Sequence, residues 1–232
     1  MNIGIGIPTY NRLESLKVLV QQLEQFCDLP YDLFVSVDGS TDGTKEWLDE
    51  KKIEYNWHEN IGIAHTRNHI LRRFQNYDLF FIIEDDVRIL KAGVFDLYKR
   101  ATEKFGHHHF NFLTPYQRKP SSIVTKDDLT VMYSILVGGC FSTYTSEVVK
   151  RVGYFNPAFK GYGHEHCEYT LRVSRVGLTT GWNHFAHLVN AESYIEHDEA
   201  VPKQCDIIKT LEANNLILCN TMQQPNIIYI GE

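Results

Sequence analysis

Three carboxylates stand side by side at Glu84-Asp85-Asp86, directly behind the apolar run Phe80-Phe81-Ile82-Ile83. Like charges crowded at a strand end raise one another's pKa unless something cationic neutralises them. A hard divalent ion such as Mg²⁺ or Mn²⁺, bound through oxygen, does this. A diphosphate would supply further oxygens, and the ion would offset charge on the leaving group. The competing reading is a solvated acidic turn that caps the next helix. The position behind a buried strand favours the metal.

A second cluster is Gly161-Tyr162-Gly163-His164-Glu165-His166-Cys167-Glu168. Two glycines deliver the chain to a helix whose first turn holds an acid, an imidazole and another acid. Glu165 and Glu168 suit the positive end of a helix dipole in any case. His166 titrates near neutrality and is a candidate to take a proton from an acceptor hydroxyl. Asp38 in Asp38-Gly39-Ser40 is of the type that closes an Asx turn, and it could also accept a hydrogen bond from a base or ribose. Arg67, near the start of a helix, could bridge phosphate or base. His107-His108-His109 reads as a solvated turn with no role.

Positioning these groups requires a scaffold, and the first hundred residues supply one by alternating two hydrophobic rhythms. Strands are expected at Ile3 to Ile7, ended by Pro8, at Leu33 to Val37, at Ile53 to Trp57 and at Leu79 to Ile83. Helices are expected from Leu13 to Leu23, Thr44 to Asp49 and Ala64 to Phe74. Such alternation implies βαβ units and an open α/β fold, a mostly parallel sheet flanked by helices. Later come helices at Val94 to Phe105, Glu147 to Val152, Glu165 to Val176 and Ile207 to Leu218, and a strand at Phe110 to Leu113. Tyr116 to Asp128 reads as a polar loop. One domain over 1–232 is expected, with a nucleotide half to about residue 90 and an acceptor half beyond it. Ligands of open α/β sheets gather beyond the carboxyl ends of the strands. The segments Pro8-Thr9-Tyr10-Asn11-Arg12, Asp38 to Asp42 and Glu84 to Asp86 all fall there.

Composition narrows the partners. The net charge of −6 argues against a polyanion binder. The five cysteines are scattered without a CxxC pair, which points to reduced thiols and a cytoplasmic protein. Strand-like residues begin at Asn2, and no apolar run approaches the length of a membrane span.

In their order, Ile7-Pro8-Thr9-Tyr10-Asn11-Arg12, Val37 to Thr44, Asn60-Ile61-Gly62 with Arg67-Asn68, Glu84-Asp85-Asp86, Gly138-Gly139, Gly161 to Glu165 and Leu171-Arg172 resemble family-2 glycosyltransferases of the GT-A (Rossmann-like) fold. The resemblance implies a nucleotide-sugar pocket lined by Pro8, Thr9, Tyr10, Asp38, Arg67 and Asp85, with Gly138 and Gly139 beside the transferred sugar. It implies a DxD element at Glu84-Asp85-Asp86, with Asp86 and Glu84 as ligands of Mn²⁺ or Mg²⁺. A late histidine completes the metal site in many relatives: His197 fits, with His187 in reserve. The resemblance places the base at Glu165-His166, where relatives carry Glu-Asp.

The expected reaction is transfer from a nucleotide-diphosphate sugar, a UDP-sugar first, to an acceptor hydroxyl with inversion. The expected acceptor is a saccharide or glycolipid, with protein or DNA as alternatives. A retaining transferase and a non-catalytic nucleotide-sugar sensor are the competing readings. Gly4-Ile5-Gly6 lacks the third glycine of a dinucleotide fingerprint. Tyr162 and Trp182 are candidates to stack on a sugar ring, although aromatic residues in a core are commoner.

Overall fold

The computed structural model describes residues 1–179, 184–201 and 207–224, so Trp182 lies outside the described residues. The chain opens with β1 (Ile3–Thr9), α1 (Leu13–Phe26), β2 (Asp32–Asp38), α2 (Thr44–Lys51), β3 (Glu54–His58), α3 (Ile63–Phe74) and β4 (Leu79–Ile83). A short β5 (Val87–Ile89), α4 (Val94–Phe105) and β6 (His109–Asn111) follow, then a hairpin of β7 (Pro120–Lys126) and β8 (Leu129–Ser134). After β9 (Phe141–Tyr144) come α5 (Ser146–Val152), α6 (Glu165–Arg175), β10 (Phe185–Leu188), β11 (Ile195–His197) and α7 (Ile207–Met222). No described helix is long and apolar enough to cross a membrane.

Nine strands form one sheet in the order β3-β2-β1-β4-β9-β6-β10-β8-β7, and β5 pairs separately with β11. The first four strands are parallel, and the register carries their direction on to β6, β10 and β7. In this sheet β9 and β8 run against the rest. This is the α/β, mostly parallel sheet that the strand–helix rhythm predicts.

Side-chain alternation builds a layer on each face. Ile3, Ile5 and Ile7 of β1 pack with Leu16, Leu19, Val20 and Leu23 of α1 and with Phe95 and Tyr98 of α4. On the other face Phe80 and Ile82 of β4 meet Ile70, Leu71 and Phe74 of α3 and Tyr169 and Val173 of α6. Gly4 and Gly6 explain themselves here. A Cβ on Gly4 would lie 2.4 Å from Phe74, and one on Gly6 2.1 Å from Ile70. They let α3 settle onto β1.

Three expectations need correction. β1 runs through Pro8 to Thr9, with Pro8 in register with Ser36. Proline's fixed φ suits an extended chain, and the missing N–H deletes one bond rather than ending the strand. The segment Tyr116 to Asp128 is not all loop, because β7 occupies Pro120–Lys126 as the sheet's last strand. Every β7 residue is exposed, so no burial pattern marks it in the sequence. His107 and His109 are buried rather than solvated, at 5% and 1% exposure. His109 opens β6 and hydrogen-bonds the Thr143 carbonyl at 2.7 Å and the Thr170 hydroxyl at 2.9 Å.

Candidate active site

The carboxyl ends of β1, β2 and β4 are stitched to one another before any ligand is considered. The Asn11 backbone N–H donates to Ser40 Oγ at 2.9 Å, and Asn11 Oδ1 accepts the Thr41 N–H at 2.8 Å. Asp42 accepts the Leu13 N–H at 2.8 Å, tying the start of α1 to the turn after β2. Asp38 accepts the N–H groups of Ile61 (2.9 Å) and Gly62 (3.1 Å), so it shapes the loop that leads into α3. The described hydrogen-bond partners of Asp38 are these distant N–H groups rather than those of an Asx turn, and it also lines the cleft.

That cleft has a volume of about 560 Å³. It gathers Pro8, Thr9, Tyr10, Asp38, Glu84, Asp85, Gly138, Gly139, Glu165, His166 and His197, eleven of the thirteen site residues expected from the sequence. Tyr162 lines it too. Arg67 and Asp86 sit behind its wall, both fully buried.

Arg67 does not line the cleft itself. Its guanidinium donates to Glu84 Oε1 at 2.5 Å and to the Gly139 carbonyl at 3.0 Å, and stands 3.4 Å from Glu165 Oε1. One buried cation thus joins the acidic strand end, the glycine pair and the first turn of α6. Burial works against its charge, but the Glu165 and Glu84 carboxylates outweigh that and raise its pKa.

The repulsion among the three acids is relieved by arginines. Arg12 Nη1 lies 2.8 Å from Asp85 Oδ1 and 3.1 Å from Asp86 Oδ2, while Arg67 holds Glu84. Burial nevertheless pushes the Asp85 carboxyl up to about 6, against the pull of Arg12 and a 2.7 Å hydrogen bond from Thr9 Oγ1. Arg12 was legible as part of the motif after β1, but its partner lay 73 residues away.

His197 reaches the acids through the small sheet. β11 pairs with β5 so that His197 faces Val87, and the Asp198 N–H donates to the Asp86 carbonyl at 2.8 Å. His197 Nε2 then lies 3.4 Å from Asp86 Oδ2. The reserve histidine is elsewhere: His187 is buried between the carbonyls of Asn111 and Leu136, 3.0 Å from each. Among the described residues no three His, Cys, Asp or Glu side chains converge into a complete metal cage. Asp86 Oδ2, which also takes Arg12 Nη1 at 3.1 Å, and His197 Nε2 stand at a spacing one ion can span. A hard cation that takes its remaining ligands from phosphate or water fits such a half-site.

At the opposite wall, Gly161, Gly163 and His164 all adopt positive φ and turn the chain into α6. Glu165 Oε1 lies 3.2 Å from His166 Nδ1, and His166 Nε2 lies 3.5 Å from Cys167 Sγ. Burial lowers the basicity of His166, but Cys167 and Glu165 outweigh it and hold the imidazole up at about 10. Glu165, despite burial, is drawn down to about 2 by His166 and Arg67. Burial also raises the Cys167 thiol, yet His166 and His164 bring it to about 6. These directions favour an imidazolium flanked by two anions.

Sequence reasoning missed the far rim. Tyr116, 70% exposed, hydrogen-bonds Glu199, and both line the cleft. Neither belongs to a motif, and only the fold brings them together.

The model of glycosyl transferase family 2 matches residues 5–120, half of the chain. An uncharacterized glycosyltransferase, R363 of Acanthamoeba polyphaga mimivirus, is 27% identical over 190 residues, covering 74% of this chain and 73% of its own. The structure is similar to S. aureus TarS in complex with UDP, with a TM-score of 0.60 at 17% identity, over 81% of this chain and 57% of that one. It is also similar to the mannosyltransferase PcManGT of Pyrobaculum calidifontis in complex with GDP-Man and Mn²⁺ (TM-score 0.58, 16% identity, 88% of this chain and 58% of that one). The chain thus spans under three fifths of either solved structure, and the shared architecture is the GT-A fold.

Proposed function

The chain belongs to glycosyl transferase family 2, and from that premise we propose that it moves a sugar from a nucleotide diphosphate, UDP in the first instance, to an acceptor hydroxyl with inversion at the anomeric carbon. The observation that carries the reading is the single cleft joining the strand-end acids to the Glu165–His166 pair. Pro8, Thr9, Tyr10 and Asp38 would form the nucleotide wall, with Gly138 and Gly139 beside the sugar. The UDP bound to TarS and the GDP-Man and Mn²⁺ bound to PcManGT support this kind of donor and ion.

Asp86 and His197, with Glu84 nearby, would hold a Mn²⁺ or Mg²⁺ ion. When bound, the ion supplies charge to the leaving diphosphate. The acceptor oxygen bonds to the anomeric carbon as the bond to diphosphate breaks, and the acceptor proton goes to neutral His166. Glu165 orients that imidazole, and its charge stabilises the imidazolium that forms. The cleft offers Tyr116 and Tyr162 to an acceptor ring, which favours a saccharide or glycolipid.

Thermal shifts with UDP- and GDP-sugars, with and without Mn²⁺, test the donor, because a ligand stabilises the state that binds it. Stabilisation by a UDP-sugar that needs Mn²⁺ and weakens in Asp86→Ala supports the reading. Sugar transfer should be lost in His166→Ala. A product that retains the anomeric configuration, seen by NMR, removes His166 from the base role.

A further inference from the structure

We infer that Asn214 of α7 is a positioning residue for the Glu165–His166 pair, its side-chain amide fixing the loop that delivers them to the cleft. The assignment rests on the glycosyl-transfer reading for what Glu165 and His166 do, but not for the loop geometry.

The loop 160–164 is held in a form it would not adopt alone. Three of its residues lie at positive φ, and one of them, His164, is not glycine. Such a segment needs its surroundings to over-determine it. Its backbone also lacks the regular partners of a helix or strand, so each carbonyl must find a donor elsewhere. The Gly161 carbonyl accepts the Ile63 N–H at 3.3 Å, and the His164 carbonyl accepts the Glu168 N–H at 3.0 Å. The other three converge on a single group: Asn214 Nδ2 lies 2.9 Å from the Lys160 carbonyl, 3.1 Å from that of Tyr162 and 2.9 Å from that of Gly163. Two amide protons are shared among three acceptors. The Lys160 N–H returns a bond to Asn214 Oδ1 at 3.4 Å. Asn214 is 2% exposed.

The glycines record how closely α7 presses on this loop. A Cβ on Gly161 would lie 2.4 Å from Thr210 Cγ2, and one on Gly163 would lie 2.4 Å from Leu211 Cδ2. From the other side, a Cβ on Gly62 would meet the Gly161 nitrogen at 2.7 Å. The loop is wedged between the start of α3 and α7, and Asn214 sets its height. Glu165 and His166 follow immediately, so a shift of the loop becomes a shift of the pair. Displacements on the order of 1 Å cost roughly 10²-fold in rate. The nucleotide wall, built on β1, β2 and β4, takes no hydrogen bond from this amide.

The test compares Asn214→Ala and Asn214→Ser with wild type, and uses Asn215→Ala on the exposed side of α7 as control. Hydrogen exchange of the Lys160 amide, which donates to Asn214, and of the Ile63 and Glu168 amides, which donate to the loop carbonyls, should quicken at least tenfold in Asn214→Ala, with β1 and β4 unchanged. UDP affinity measured with Mn²⁺ should stay within twofold, while kcat for sugar transfer falls at least tenfold. Asn214→Ser, which keeps one donor, should recover part of both effects. Unchanged loop exchange overturns the inference. So does loss of UDP binding and of protection throughout β1 and β4, which would make Asn214 a general structural residue. Wild type that transfers no sugar counts against the glycosyl-transfer reading, and the exchange data still judge Asn214.

Discussion

The imidazole of His166 lies against the backbone of Gly139, so closely that a Cβ there would stand 2.9 Å from the ring's Cγ. The glycine pair and the candidate base, 27 positions apart in the sequence, thus act as one surface. Gly139→Ala should push the ring off its line to the acceptor. The expected result is a fall in kcat of roughly 10²-fold, the scale of a misplaced reacting group, with UDP affinity nearly unchanged. Steady-state kinetics beside calorimetric titration check it, and a wild-type kcat in the variant rejects it.

On the proposed mechanism, Cys167 helps set the pH at which His166 is neutral and able to act as the base. With the imidazole held at about 10 by Cys167 and Glu165 against burial, little of it is neutral at pH 7. Wild-type kcat/KM should therefore climb with pH toward 10. Cys167→Ser removes one neighbouring anion, so the His166 pKa falls and the neutral fraction at pH 7 grows. The rate at pH 7 should rise and the inflection of the profile should move to lower pH. An unmoved inflection rejects the role of Cys167.

The first half of the chain was legible because β1 and β4 are buried along their whole length and turns fall at their carboxyl ends. Ile3 to Ile7 and Leu79 to Ile83 need no tertiary context to be seen. Asp38 and Glu84 were findable because each directly follows, or ends, such a run. Arg67 was legible as a residue of α3, but its burial was not, since helical spacing does not say which polar residue turns inward. β7 was missed because exposure on all sides erases alternation. Asn214 and Glu199 were out of reach, as each matters only through carbonyls or hydroxyls brought near by the fold.

Arg67→Met keeps much of the side chain's length and removes its charge. Glu84 and Glu165 would then lose the cation that lies 2.5 Å from one and 3.4 Å from the other. Breaking a buried ion pair on one side destabilises by about 3–5 kcal/mol. Urea unfolding should show a loss of that order. Adding Glu165→Gln should then cost less than it does alone, because the two changes share one network. Strict additivity would refute the network.

Acid stability follows from buried histidines that do not line the cleft. Burial lowers His107, His109 and His187 to about 4 each, against about 6.5 in an unfolded chain. Between those values the unfolded state binds more protons, so stability rises with pH there. Their contribution is complete above pH 6.5 and is lost as pH falls toward 4, at up to about 1.4 kcal/mol per pH unit for each. Asp85, raised to about 6 by burial, works the other way below pH 6, one group against these three and His69, which burial also lowers to about 4. Above pH 6.5 the raised His166 and the lowered Cys167 oppose each other, leaving the acid limb to the buried histidines. Unfolding measured from pH 7 to 4.5 should therefore show a steep decline. His109→Gln, which removes one titrating ring that hydrogen-bonds Thr143 and Thr170, lowers stability at pH 7 but should flatten the slope by about one proton. A slope as steep as that of wild type would show that His109 already carries its proton in the folded protein.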